Sequence, residues 1–82
     1  MIENRIDLSQ IRELIPHREP FIYIDKLENI EKLQRATGVK KFLISDSFFK
    51  GHFPGHPVVP GVILIEMMAQ TAAALIAFSL RD

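Results

Sequence analysis

The sequence predicts an α+β domain in which a short helix and a pair of antiparallel strands precede one long apolar helix. Asp7 and Gln10 have the spacing of a capping box in front of the segment LSQIREL, which predicts the short helix. Aromatic and β-branched residues fill the run from Phe21 to Ile30, as is typical of a strand. Strong helix formers without Gly or Pro fill the run from Val62 to Leu80, which predicts the long helix.

The short helix is expected to end before Pro16, which cannot continue a helix. A second strand is predicted from about Gln34 to Leu43, antiparallel to the first across a turn at Glu31 to Leu33. Gly38 lies inside this second strand, and a glycine there is expected to mark a bulge. The two strands therefore form a hairpin.

A loop rich in proline and glycine is predicted from Ser45 to Gly61, because such a composition cannot form a helix or a central strand. Three aromatic side chains in this segment indicate an ordered loop rather than a flexible linker: Phe48, Phe49 and Phe53.

The long helix is apolar around nearly its whole circumference, so all its faces need cover. Two strands cannot provide that cover, and we therefore expect residues 1–82 to be a single domain that is incomplete at its carboxyl end. A membrane span is the alternative for such a segment. We disfavour it because Glu66, Gln70 and Thr71 lie inside the segment and no basic cluster flanks it.

The composition excludes several classes of function. Ten basic side chains balance ten acidic ones over 82 residues, so no net charge attracts nucleic acid. The absence of cysteine excludes disulfides, thiolate catalysis and sulfur-ligated zinc, and the segment MIENRIDLSQ lacks the apolar core of a signal peptide. We therefore expect a cytoplasmic protein with no nucleic-acid partner.

The candidate chemistry lies in the loop and the start of the long helix. His52 is suited to accept a proton as a general base. Glu66 follows fourteen positions later as the only acid in an apolar helix, where desolvation would favour the protonated form that can act as a general acid. Backbone N–H groups at Gly61 and Val62 could polarise a carbonyl oxygen at the positive end of the helix dipole. Together these groups suit the elimination of water.

Each of these residues also has a structural interpretation. His52 could be a hydrogen-bonded loop residue, and Glu66 could pair with a basic side chain. His56 and His17 are expected to be mainly structural, with His56 packing the loop and His17 holding the segment PHREP beside it. A zinc site formed by His52, His56 and Glu66 is disfavoured, because Pro54 and Gly55 separate the histidines and remove the helical geometry of an HExxH site.

The segments IPHREPFIYIDKL and FFKGHFPGHPVVPGVILIEMMAQ resemble the bacterial 3-hydroxyacyl-acyl carrier protein dehydratases of type II fatty acid synthesis. The resemblance implies a hotdog fold, in which a curved antiparallel sheet wraps a long central helix. It also implies that His52 removes the C2 proton of the substrate, that Glu66 from the other subunit protonates the departing hydroxyl, and that Gly61 holds the thioester carbonyl. The related class that also isomerises the double bond carries aspartate at the position of Glu66, which favours the simple dehydratases.

The same resemblance implies a partner, an assembly and a product. The substrate would be acyl carrier protein bearing a 3-hydroxyacyl chain, the product a trans-2-enoyl thioester, and the assembly a homodimer or a hexamer built as a trimer of dimers. No cofactor and no metal are implied. Members of this family run to nearly twice this length, which is the main departure. An inactive fragment or scaffold subunit and a hotdog thioesterase are therefore kept as alternatives.

Overall fold

The computed structural model describes residues 4–81 and contains a three-stranded antiparallel sheet packed against one face of a long helix. The predicted α+β class is confirmed. The sheet has the order β1-β2-β3, which is also the order of the strands along the chain. The elements in chain order are β1 (Ile6–Asp7), α1 (Leu8–Leu14), β2 (Lys26–Glu31), β3 (Arg35–Val39), a 3₁₀ turn (Ser47–Lys50) and α2 (Gly61–Leu80).

Helix α1 begins at the predicted capping box. The Asp7 carboxylate accepts a hydrogen bond from the Gln10 backbone N–H, and the Gln10 side chain accepts one from the Asp7 backbone N–H. Hydrogen bonds from the Ser9 hydroxyl and the Gln10 N–H lower the pKa of Asp7, because both stabilise the charged form. The helix ends before Pro16, as predicted, with Ile15 as its carboxyl cap.

The predicted strand from Phe21 to Ile30 is only partly correct, because β2 begins at Lys26. Residues 21–25 do not form a regular ladder, although Ile22 and Ile24 are buried. The physical reason is that the backbone of this extended segment bonds to a side chain, the Gln70 amide, where a neighbouring strand would otherwise lie.

The hairpin of β2 and β3 is confirmed, but its second strand ends at Val39 and not at Leu43. Beyond that point the Lys41 N–H donates to the Asp25 carboxylate, so a side chain again replaces a strand partner. The strand β1 was not predicted, because it has only two residues, which pair with the start of β2.

The predicted bulge at Gly38 is wrong. Gly38 pairs in register with Leu27, and the irregularity lies between Glu28 and Glu31 of β2, where Asn29 has a φ of 52°. Gly38 is instead required for close packing of the sheet on α2. A Cβ atom at this position would lie 2.0 Å from Thr71 Oγ1. The glycine thus sets how closely the helix approaches the sheet.

The core lies between the sheet, α1 and one stripe of α2. Helix α2 contributes Gln70, Ala74 and Phe78, which are spaced by four residues and therefore share a face. The apolar core residues are mainly isoleucines and come from every part of the chain up to β2: Ile6, Ile11, Ile15, Ile22, Ile24, Leu27 and Ile30, together with Ala74 and Phe78.

The opposite face of α2 is uncovered in the described part of the chain. Val62 is 72% exposed, and Ile65 and Met68 are each 64% exposed. The helix is long and apolar enough to cross a membrane by length and composition alone, but its Gln70 stripe packs into the core of the domain. A groove of about 520 Å³ runs between β3 and this side of the helix, and its lining includes Ala36, Gly38, Leu64, Met67, Met68 and Leu75.

Replacing Gly38 with alanine is expected to destabilise the domain by about 1–3 kcal/mol, the usual cost of overpacking a close contact. The added methyl group would collide with Thr71 Oγ1 and lie 3.1 Å from Ile24 Cγ2. Urea unfolding monitored by circular dichroism measures the difference. Gly51→Ala is the matched control, because a Cβ atom at Gly51 meets nothing within 4 Å. Equal stability of the two variants would contradict the close-packing role of Gly38.

Candidate active site

The loop that carries His52 is held by its own backbone. Phe53 and His56 exchange two backbone hydrogen bonds of 2.9 and 2.8 Å, which close a turn with Pro54 and Gly55 at its centre. Gly55 has a φ of +71°, a conformation that glycine adopts without strain and that the third position of a type II turn requires. The sequence PG at these two positions therefore builds a defined turn immediately after His52.

His52 is anchored through one ring nitrogen. Its Nδ1 lies 2.8 Å from the Val58 carbonyl oxygen, and the Val58 N–H donates to the His52 carbonyl at 2.9 Å. Because a carbonyl oxygen can only accept, Nδ1 must carry the hydrogen in this contact. In the neutral ring, Nε2 then keeps its lone pair. The ring also stacks on Phe53, with 4.2 Å between centroids, and the peptide bond between the two residues is cis.

Helix α2 follows this loop directly in the sequence, and its first turn has backbone N–H groups without a recorded acceptor within residues 4–81. The N–H groups of Ile63 and Leu64 donate to the Pro60 carbonyl. No acceptor is recorded among residues 4–81 for the N–H groups of Gly61 and Val62, which are the orphan donors of a helix start. A Cβ atom at Gly61 would meet nothing within 4 Å, so the space beside these donors is open.

Glu66 lies one turn before Gln70 on the core-facing stripe of α2, and its side chain is 28% exposed. The Gln70 Nε2 donates to Glu66 Oε2 at 2.9 Å and to the Phe21 carbonyl at 3.0 Å, while Gln70 Oε1 accepts from the Tyr23 N–H at 2.8 Å. Every part of this buried amide is therefore bonded. Its orientation is fixed by the backbone of the extended segment, and it holds one oxygen of the acid.

His17 also approaches this carboxylate, with its Nε2 at 3.6 Å from Glu66 Oε2. The structural role expected of His17 in the segment PHREP stays a prediction, and the approach to Glu66 is a contact that the sequence does not predict. The ring faces Phe21 in a stacked arrangement with 6.4 Å between centroids. His17 and Gln70 thus both approach Glu66 Oε2, and Glu66 Oε1 has no recorded partner within residues 4–81.

The turn that carries His17 is closed by charged side chains. The Arg18 guanidinium donates to the carbonyl oxygens of Arg12, Ile15 and His17. Arg12 in turn forms an ion pair with Glu19. A hydrogen bond from its own backbone N–H, and then the Arg12 guanidinium, lower the pKa of Glu19.

The structure does not join the two predicted catalytic residues within one chain. No hydrogen bond or ion pair among residues 4–81 links His52 to Glu66. The His56 side chain is exposed, and its backbone, not its imidazole, closes the loop turn. Within the same described residues, no group of three or more His, Asp or Glu side chains is arranged to hold a metal ion, so the zinc alternative gains no support.

Sequence reasoning missed Gln70 and His17 as members of the site. The signal for Gln70 was its position four residues after Glu66, because that spacing places two side chains on one helix face. No comparable signal exists for His17, whose contact with Glu66 depends on the packing of α2 against the segment after α1. The contact between His17 and Glu66 therefore depends on tertiary structure and cannot be read from residue spacing.

Comparison with known proteins supplies relatives for nearly the whole chain. The chain is 48% identical over 79 residues to the 3-hydroxyacyl-[acyl-carrier-protein] dehydratase FabZ of Gluconobacter oxydans, and the matched region covers 96% of this chain and 47% of the relative. It is 52% identical over 71 residues to the FabZ of Acidiphilium cryptum, covering 87% and 43%. It is 47% identical over 77 residues to the FabZ of Campylobacter jejuni, covering 94% and 53%.

These matches confirm the resemblance to the dehydratases of fatty acid synthesis. The chain spans about half the length of the curated relatives it matches. The sequence model of the FabA-like domain family matches residues 15–82, which contain the extended segment, the hairpin, the loop and α2. The match confirms the expected hotdog class for the α+β fold. A match over this much of the chain shows that it belongs to the FabA-like domain family.

Proposed function

We propose that this chain carries the catalytic pair of a 3-hydroxyacyl-acyl carrier protein dehydratase acting in the cytoplasm. In the proposed reaction His52 Nε2 takes the proton from C2 of the substrate. Glu66 gives its proton to the hydroxyl at C3, which leaves as water, and the C2–C3 double bond of a trans-2-enoyl thioester forms. No oxidant or reductant enters this balance, and no cofactor or metal is part of the proposal.

The observation that carries the proposal is the orientation of His52. The hydrogen bond of Nδ1 to the Val58 carbonyl leaves the lone pair on Nε2, which is the arrangement a general base requires. The turn that Phe53 and His56 close, together with the hydrogen bond of the His52 N–H to the Phe48 carbonyl, keeps this loop in place.

The surroundings of Glu66 support its role as the acid. Gln70 and His17 approach the same oxygen, Oε2, so a proton on the carboxylic acid would reside on Oε1. Oε1 is also the oxygen that no recorded group within residues 4–81 occupies. A fixed carboxyl group with one open oxygen is suited to protonating a leaving hydroxyl.

The N–H groups of Gly61 and Val62 are proposed to hold the thioester carbonyl oxygen. They lie at the first turn of α2, where the helix dipole is positive and the backbone donors lack partners. Hydrogen bonds to this oxygen would strengthen as negative charge develops on it during removal of the C2 proton. They would therefore lower the barrier of the first proton transfer.

The proposed site needs a second chain. Because His52 and Glu66 are not joined within one chain, we propose that His52 of one copy acts with Glu66 of another in a homodimer, which could assemble further into a hexamer. The exposed face of α2 supports an assembly, since Ile65 and Met68 would otherwise remain in water. The names of the FabZ relatives support acyl carrier protein as the partner that delivers the substrate.

Replacing His52 with alanine or Glu66 with glutamine is expected to reduce dehydration about 10²- to 10⁴-fold, the usual contribution of one general acid or base. Formation of the enoyl thioester from a 3-hydroxyacyl thioester on acyl carrier protein, followed by its ultraviolet absorbance, is the assay. His56→Ala is the matched control, because that imidazole is exposed and only its backbone closes the loop turn. Full activity of both the His52 and the Glu66 variants would overturn the proposal.

Mixing the two inactive variants tests whether the site is shared between chains. A dimer of one His52→Ala chain and one Glu66→Gln chain contains one doubly altered site and one intact site. We therefore expect activity to return after the two proteins are unfolded together and refolded, measured with the same assay. Unmixed variants refolded alone are the control. Activity that does not return, although mixed dimers are detected by native mass spectrometry, would contradict a site shared between chains.

Two alternatives remain distinguishable from this proposal. The uncovered apolar face of α2 favours a scaffold subunit that binds a longer partner, and such a subunit would show no dehydration as a discrete oligomer of its own. A hotdog thioesterase would release free thiol from the same acyl thioesters, which a thiol-reactive dye detects. If the proposal holds, the discrete oligomer catalyses dehydration and the thiol-reactive dye detects no free thiol.

A further inference from the structure

His17 is held rigidly for a residue in a turn. The Arg18 guanidinium binds the carbonyl oxygens at the end of α1 and that of His17 itself, which fixes the backbone on which the imidazole stands. Phe21 faces the ring at a 12° interplanar angle. The ring therefore has little freedom, and its Nε2 is directed at the carboxylate of Glu66.

The two ring nitrogens of His17 have different surroundings. Nδ1 is buried and has no hydrogen-bond partner among the described residues, whereas Nε2 lies 3.6 Å from Glu66 Oε2. A hydrogen on Nδ1 would be a buried donor without an acceptor, and an imidazolium would bury a charged donor there at a still higher cost. The neutral form with its hydrogen on Nε2 avoids both costs.

We propose that His17 is a positioning residue that, as a neutral Nε2–H donor, holds Glu66 Oε2 together with Gln70. The proposal rests on the proposed function of Glu66 as the acid. Two donors on one oxygen prevent rotation of the carboxyl group and keep Oε1 turned towards the reacting hydroxyl. The 3.6 Å separation is longer than a hydrogen bond, so the proposal requires the glutamate side chain to move a few tenths of an ångström towards the ring.

The groups recorded around the His17 ring are one carboxyl group, one guanidinium and one aromatic ring. Helix α2 contributes the Glu66 carboxylate, and the turn that carries His17 contributes the Arg18 guanidinium, which is bound to backbone oxygens. Phe21 of the extended segment contributes only its ring. Glu66 is thus the one acceptor recorded near Nε2 within residues 4–81. In the protonated form that the proposed reaction requires, its carboxyl group carries no charge that would favour an imidazolium.

Nitrogen NMR of the histidine rings in the 82-residue chain tests this assignment without any need for turnover. Long-range ¹H–¹⁵N spectra at neutral pH distinguish a ring nitrogen that bears hydrogen from one that does not. We expect hydrogen on Nε2 in His17 and hydrogen on Nδ1 in His52, where Val58 accepts it. The opposite placement in the two rings provides an internal control. A hydrogen on Nδ1 of His17, or an imidazolium, would overturn the proposal.

The rate of dehydration tests the consequence for Glu66. His17→Leu removes the donor and is expected to lower kcat about 10- to 100-fold with little change in KM, because the lost hydrogen bond would stabilise the negative charge that develops on Glu66 as it gives up its proton. His17→Gln keeps an N–H donor of similar reach and is expected to restore most of the rate. A merely structural role would not give this rescue, and equal rates in the two variants would overturn the proposal. An inactive wild-type chain would instead count against the proposed dehydratase, while the NMR result would still decide the form of His17.

Discussion

The buried amide of Gln70 is the interaction on which both the fold and the candidate site depend. It replaces a missing strand partner for the backbone at Phe21 and Tyr23, and it holds the Glu66 carboxylate with the same nitrogen that binds the Phe21 carbonyl. A buried amide is stable only when its donors and acceptor are bonded, and here all of them are. The packing of α2 on the extended segment therefore also determines where the acid lies.

The two catalytic candidates, His52 and Glu66, are held in place by different kinds of contact. His52 is positioned locally, by a turn closed within a few residues and by the Val58 carbonyl. Glu66 is held by Gln70, one turn later on the same helix, whose amide is itself fixed by long-range hydrogen bonds to the backbone of Phe21 and Tyr23. His17, distant in the sequence, also approaches the carboxylate. No hydrogen bond or ion pair within residues 4–81 links the two catalytic candidates. The proposed homodimer would bring the acid and the base of different copies together, and the same assembly could cover the exposed face of α2.

The sequence predicts what is local and misses what depends on packing. The capping box of Asp7 and the loop around His52 follow from short-range spacing, and both are present. The early start predicted for β2 failed because Gln70, distant in the sequence, supplies the hydrogen bonds of a strand. Gly38 was read as a bulge because its real constraint, the approach of Thr71, comes from another element. The approach of His17 to Glu66 likewise depends on packing between elements that are distant in the sequence.

The stability of Gln70→Leu tests this account most directly, because leucine keeps most of the side-chain volume and removes the amide. Loss of the amide would leave the part-buried Tyr23 N–H and Phe21 carbonyl without these partners, at a cost of up to about 1–3 kcal/mol for each group. Urea unfolding should therefore show a loss of about 2–5 kcal/mol, while Gln34→Leu at an exposed turn position changes little. A Gln70 variant as stable as the Gln34 control would contradict the claim that this amide holds the fold and the acid together.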